Sequence, residues 1–325
     1  MAELTIRESL NKALKEALDN NENVFLMGED IGMYGGPYAV TKGLLEEYGS
    51  EKIMDTPISE SGFVGAAIGA SMAGMKPIVE IMTINFSLLA IDQIVNHAAK
   101  IHYMSDGQLS VPIIIRTVTG AGGRLAATHS QSFEGWYASV PGLKVVSPSN
   151  AIDALGLFRS AINENNPVIF VEHSMLYGVK NDIPDQYYET PIGLPKVLEK
   201  GDDLTLIAWS GMMPLAKLVS TELNKSNINT EIIDLRSLNP IDFELIFESV
   251  KKTNKVVILD EYWETGSFGS YISSVIQEKC FDYLDGPVGV INSLNVPMPY
   301  SAELEDKVIP NIDRAMSKIK ELFGF

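Results

Sequence analysis

The sequence predicts an α/β protein of two domains built on mainly parallel sheets. Three observations carry this expectation. Apolar, β-branched runs alternate with segments of helical period, the alternation occurs twice, and a polar, proline-punctuated stretch from Asn181 to Pro195 separates the two series. A chain of 325 residues that is 46% hydrophobic is long enough to bury two cores.

The opening segment repeats Leu10, Ala13, Leu14, Ala17 and Leu18 at helical spacing, and the run Val24 to Met27 then reads as a strand ending in Gly28-Glu29-Asp30. A strand from Pro77 to Met82 leads to a helical pattern through Leu88, Ile91, Ile94, Val95 and Ala98. Val111 to Val118 is a β-branched run closed by Gly120. Strands at Leu143 to Val146 and Val168 to Glu172 flank a helix from Ala151 to Asn163. Such alternation implies a parallel sheet covered on both faces. After the polar stretch come strands at Leu204 to Trp209, Thr230 to Leu235 and Val256 to Leu259, with helices around Pro214 to Leu223, Phe243 to Lys251 and Ser270 to Lys279. The expected division is therefore a first domain over 1–180, a linker over 181–199 and a second domain over 200–325.

A formal charge of −17 and a pI near 4.6 argue against nucleic acid or an anionic membrane as the main partner and favour basic protein surfaces. The single cysteine, Cys280, cannot form an intrachain disulfide, which fits a reducing interior. Acids at Glu3, Glu8, Glu16 and Asp19 are unlike a transit peptide, so a bacterial-type cytoplasm is the expected location, or an organelle interior if a presequence has been removed. No transmembrane segment is expected, because the apolar stretch Gly62 to Met75 is too short and Pro77 to Val95 is interrupted by Glu80 and Asp92.

No phosphate-binding loop with its Gly-Lys-Ser/Thr ending occurs, and neither Gly35-Gly36 nor Gly120-Ala121-Gly122-Gly123 has dinucleotide spacing after a strand. A nucleotide-dependent oxidoreductase thus lacks its fingerprint. His97 and His102 are five residues apart, which does not align them on one helical face for a metal.

Two segments remain as sites of chemistry. Glu60 sits between serines at the start of a helix rich in small residues: Gly62, Gly65, Ala66, Gly69, Ala70 and Ala73. It reads either as part of a helix cap or as a desolvated acid beside a surface that a flat ligand can approach closely. His129 lies in the loop Thr119 to Phe133, either as a solvated residue or as a proton donor at a cleft mouth.

Taken together, Asp55-Thr56-Pro57-Ile58-Ser59-Glu60, Asn85-Phe86, Asp92-Gln93-Ile94, His129-Ser130-Gln131, Pro141-Gly142-Leu143-Lys144-Val145-Val146, Asn166-Pro167-Val168 and Val296-Pro297-Met298-Pro299-Tyr300 resemble one family. It is the beta subunit of the thiamine diphosphate-dependent 2-oxo acid dehydrogenase decarboxylating component, and the resemblance runs in order over nearly the whole chain. It implies a transketolase-like pyrimidine-binding domain followed by a transketolase C-terminal-like domain. It also implies an α2β2 heterotetramer in which thiamine diphosphate is shared with an alpha subunit that holds Mg2+, docked on a dihydrolipoyl acyltransferase core. The chain would be active only with that alpha subunit, and it lacks the family's Gly-Asp-Gly diphosphate motif.

Residue by residue, the resemblance implies that Glu60 hydrogen-bonds the cofactor's pyrimidine ring nitrogen, that Phe86 stacks on the ring and that Met82 lines its pocket. His129 would assist acyl transfer to the lipoyl group. Glu29 and Asp92 match acids of a carboxylate path for protons between active sites. Main-chain oxygens of Ile113, Ala161, Ile162, Glu164 and Asn166 match a structural potassium site. Two positions depart from the common pattern: Thr128, where many relatives carry Gln, and Glu164, where they often carry Asp. The segment Val296 to Tyr300 looks most like pyruvate-specific relatives, while Asp55 to Met75 and Glu172-His173 also resemble acetoin dehydrogenase beta chains, and branched-chain 2-oxo acid enzymes share the scaffold. A noncatalytic assembly subunit is the reading of another class.

Overall fold

A computed structural model describes residues 2–324, so the outermost positions of the expected domain spans, 1 and 325, lie outside the described residues. The chain forms two compact units.

The first unit begins with β1 (Ala2–Thr5), α1 (Ile6–Asn20), β2 (Val24–Gly28), α2 (Leu44–Tyr48), β3 (Ile53–Asp55), α3 (Glu60–Met72) and β4 (Lys76–Ile81). It continues through α4 (Ile101–Met104), β5 (Ile114–Thr119), α5 (Glu134–Ala138), β6 (Lys144–Val146), α6 (Ala151–Ile162), β7 (Val168–His173) and β8 (Lys180–Ile183). Seven strands make its main sheet in the order β12-β6-β7-β5-β4-β2-β3, where β12 is Ser237–Asn239, and β6 through β3 are all parallel. Helices α1 and α6 cover one face and build a core with Leu10, Leu14, Leu155, Phe158 and Phe170. A reciprocal capping box of Thr5 and Glu8 starts α1, which satisfies two of its otherwise orphaned N–H groups.

The second unit carries a five-stranded sheet in the order β14-β13-β10-β11-β9. Its strands are β9 (Lys196–Glu199), β10 (Leu204–Ala208), β11 (Thr230–Asp234), β13 (Val256–Trp263) and β14 (Gly289–Ser293). All pairs are parallel except the edge strand β9. Around it lie α7 (Met213–Asn224), α8 (Glu244–Thr253), α9 (Phe268–Cys280), α10 (Ala302–Val308) and α11 (Ile312–Phe323).

The units are not contiguous halves of the chain. Gly120–Gly135 belongs with the second and Leu238–Pro240 with the first, while the exchange after β8 falls at Ile192/Gly193. The reason for the first excursion is polar. Ala121 N–H donates to Glu261 Oε1 at 2.6 Å, Gly122 N–H to Glu305 Oε1 at 3.0 Å, and Arg124 Nη1 to Glu305 Oε2 at 2.5 Å. The stretch expected as a linker over 181–199 is not structureless either, since β8 pairs with β1 and β9 with β11. No helix among the described residues is long and apolar enough to cross a membrane.

Candidate active site

In the first unit, register aligns Asp55 with Gly28, Gly28 with Glu80 and Glu80 with Arg116, a row that runs at or next to the carboxyl ends of β3, β2 and β4 and through the middle of β5. Open parallel sheets present ligands at that edge, because the loops leaving it are free to diverge in sequence and shape. Glu29 follows β2 directly, Glu60 opens α3 after β3, and Met82 follows β4 with Phe86 four residues on. The strands therefore gather Glu29, Glu60, Met82 and Phe86 at one edge of one sheet.

Glu60 is only 4% exposed, yet no donor among the described residues makes a side-chain hydrogen bond to its carboxyl. Ser59, at the helix N-cap, supplies no side-chain cap. Its oxygens are not among the fully buried atoms that lack a partner, so the carboxyl keeps access to the sheet edge and can take a donor there. Glu29 is likewise buried, and its Oε1 has no partner. Burial first, and then the neighbouring charges of Glu60 and Asp30, hold the Glu29 carboxyl above its ordinary range.

Along α3, Gly62, Ala66, Gly69 and Ala73 form an exposed small-residue face, whereas Gly65 is covered: a Cβ there would stand 3.0 Å from Gln93 Oε1. Met82 and Phe86 are half-buried, and Phe86 N–H closes a turn onto Thr83 O at 2.9 Å. The segment expected to be an α-helix is wound differently, as a 3-10 turn over Phe86–Ala90 and a π-helical turn over Gln93–Ala98. Asp92 precedes the π-turn with its carboxylate 63% exposed and accepting from Asn96 Nδ2 at 2.7 Å. It is not among the acids that act on Glu29.

His129 belongs to the second unit, on the loop fixed by Glu261 and Glu305. It is exposed, and its Nδ1 shares a 2.9 Å hydrogen bond with Thr128 Oγ1. Arg124 and Ala126 in this loop hold φ of 59° and 64°, a left-handed backbone that non-glycine residues adopt at a cost and that clusters at functional loops. Met298, from the segment Val296 to Tyr300, packs against Ala121 and Val308 in the same unit.

Three of the carbonyls matched to a potassium site take part in hydrogen bonds of the chain, which leaves each a second lone pair. Ile113 O accepts from Val168 N–H, Ala161 O from Glu164 N–H, and Ile162 O from the ammonium of Lys76 at 2.9 Å. Lys76 brings its ammonium to one of these carbonyls, and Glu164 is ion-paired with Lys144 at 2.5 Å.

Sequence reasoning missed a buried charge cluster on the same sheet. Arg116 Nη1 donates to Glu80 Oε2 at 2.5 Å, its Nε and Nη2 grip Glu172 at 2.7 and 2.8 Å, and Tyr177 Oη donates to Glu172 Oε2 at 2.6 Å. Burial pushes the Glu80 carboxyl up against the opposing pull of Arg116. Charged residues inside otherwise apolar strands were the available signal.

The family model described as "Transketolase, pyrimidine binding domain" matches residues 2–180, and "Transketolase, C-terminal domain" matches 193–314. The chain is 44% identical over 320 residues to the pyruvate dehydrogenase E1 component subunit beta of Rickettsia bellii, with 98% of both chains covered. It belongs to the family of pyruvate dehydrogenase E1 beta subunits. The mitochondrial beta-2 subunit of Oryza sativa subsp. japonica is 46% identical over 315 residues, covering 96% of this chain and 84% of that one. A split gene transketolase, titled an inactive beta4 tetramer, superposes with a TM-score of 0.79 over 99% of this chain and 98% of that one, at 23% identity, and so shares the fold.

Proposed function

We propose that this chain is the beta subunit of a pyruvate dehydrogenase (acetyl-transferring) E1 component, which decarboxylates pyruvate with thiamine diphosphate and passes the acetyl group to lipoyl groups of an acyltransferase. The observation that carries the reading is Glu60, a 4%-exposed carboxyl lacking a hydrogen-bond donor of its own at the carboxyl edge of a parallel sheet. A ring nitrogen that gains a proton is the donor such a group lacks. The half-buried Met82 and Phe86 offer apolar and aromatic surface at the same edge, so the residues present fit the pyrimidine end of the cofactor.

When bound, thiamine diphosphate supplies the electron sink for decarboxylation of a 2-oxo acid. What this chain adds is orientation and proton control. Glu60 would hold the proton at the ring nitrogen, and Phe86 and Met82 would supply the aromatic and apolar surface against the ring. Glu29, held above its ordinary range, would pass a proton to and from Glu60, and Asp92, the other acid matched to a carboxylate path, stands exposed with Asn96 as its partner. His129, oriented through Thr128, manages the proton on transfer to the lipoyl sulfur. The cofactor's diphosphate and Mg2+ fall to an alpha subunit in an α2β2 heterotetramer, because this chain has no Gly-Asp-Gly motif for them. The same reading puts the protein in the cytoplasm, or in an organelle interior as for the mitochondrial relatives.

The test is dye-coupled turnover of the chain reconstituted with its alpha partner, with and without thiamine diphosphate, on pyruvate, acetoin and a branched-chain 2-oxo acid. Cofactor-dependent turnover of pyruvate above the other two is the expected result. Silence on all three from a properly formed heterotetramer would point to a noncatalytic assembly subunit.

A further inference from the structure

Asp55 ends β3, five residues before Glu60, and its carboxylate reaches back to the loop that follows Glu29. Asp55 Oδ1 accepts from Gly32 N–H at 2.6 Å and Oδ2 from Met33 N–H at 3.1 Å. The approach is close enough that a Cβ on Gly32 would stand 2.7 Å from Oδ2. Beside it, Thr56 N–H donates to Gly28 O at 2.9 Å, which extends the β2–β3 pairing by one bond beyond the strand. The two backbone segments that carry the buried acids are thus clipped together by one side chain and one main-chain bond.

We propose that Asp55 is a positioning residue that sets the separation of the Glu29 and Glu60 carboxyls. The proposal rests on the reading of those two acids given above. Without the clip, the loop after Glu29 retains Gly36 N–H to Asp30 O and Thr41 Oγ1 to Ile31 O, which fold the loop on itself but do not tie it to the Glu60 segment. A charged acceptor taking two adjacent N–H groups is the stronger kind of hydrogen bond and fixes direction as well as distance. Misplacement of a reacting group by about 1 Å can lower a rate by about 10²-fold.

The experiment uses the reconstituted heterotetramer with Asp55→Asn and Asp55→Ala, and Glu60→Gln beside them. Amide hydrogen exchange is read at Gly32 and Met33, and kcat, the KM for pyruvate and the pH profile of kcat are read in parallel. Expected are faster exchange at both amides, kcat reduced by about 10²-fold in Asp55→Ala and less in Asp55→Asn, a KM changed by less than about twofold, and a displaced acidic limb of the profile. Asp55→Asn keeps one acceptor, so it decides the matter alone if the alanine variant does not assemble. Unchanged exchange, or a lower kcat on an undisplaced pH profile, overturns the proposal and leaves Asp55 a structural residue. Full turnover by Glu60→Gln would instead sink the site reading on which the proposal stands, whatever the amides do.

Discussion

Glu60 lies close enough to Glu29 in the first unit for its charge to add to burial in lifting the Glu29 carboxyl above the 4.5 of an ordinary glutamate.

The shift has a stability consequence whose sign is fixed. Below pH 4.5 the Glu29 carboxyl is neutral in both states; as pH rises past that value the unfolded chain releases its proton first and gains relative to the fold. Glu29→Gln is therefore expected to raise the melting temperature at neutral pH, with the gain fading in acid. A melting series over pH 4 to 8 checks it, and the same variant should slow turnover.

Breaking the buried cluster by Arg116→Leu leaves Glu80 and Glu172 without their cation. Removal of one partner from a buried ion pair costs about 3–5 kcal/mol. Denaturant unfolding should show that loss, and Arg116→Lys should recover only part of it, because a lysine cannot grip Glu172 with two parallel bonds as Nε and Nη2 do.

Much of the scaffold was legible. Leu10, Ala13, Leu14, Ala17 and Leu18 mark the buried stripe of α1, and the β-branched runs mark the strands of both sheets. The apolar period through Leu88, Ile91 and Ile94 suggests an α-helix, but 3-10 and π turns bury Ile94 and Ala98 while Leu89 stays 64% exposed. The short pairings of β8 and β9 hide in the polar stretch because backbone bonds, not apolar side chains, make them. The burial of Glu60 at the start of its small-residue helix was legible. Asp55 and the Arg116 cluster were not, since partners 22 to 56 residues apart meet only through strand register. The loop of His129 joins the second unit through Glu261 and Glu305, which no local pattern announces.

The ammonium of Lys76 supplies Ile162 O, one of the carbonyls matched to the potassium site, with a cation of the chain's own. Replacing potassium by sodium should leave the melting temperature unchanged. Lys76→Met should lower stability by about 1.5–3 kcal/mol, the range for a charged hydrogen bond, and potassium should not restore it.

Thr128 Oγ1 and His129 Nδ1 share a 2.9 Å hydrogen bond. A neutral hydrogen bond worth about 1 kcal/mol corresponds to about fivefold in rate. Thr128→Val should slow the overall complex reaction by about that factor and leave dye-coupled decarboxylation unchanged. An equal loss in both assays would place Thr128 in the decarboxylation step instead.

The most direct test of the central claim is the dye-coupled kcat of Glu60→Gln in the reconstituted heterotetramer, with assembly verified by mass. Loss of a positioned proton-transfer group lowers turnover by about 10²–10⁴-fold, and a drop of that size with intact assembly is the predicted result. Turnover within about twofold of the unsubstituted protein would contradict Glu60 as the cofactor's proton partner and, with it, the catalytic role assigned to this chain.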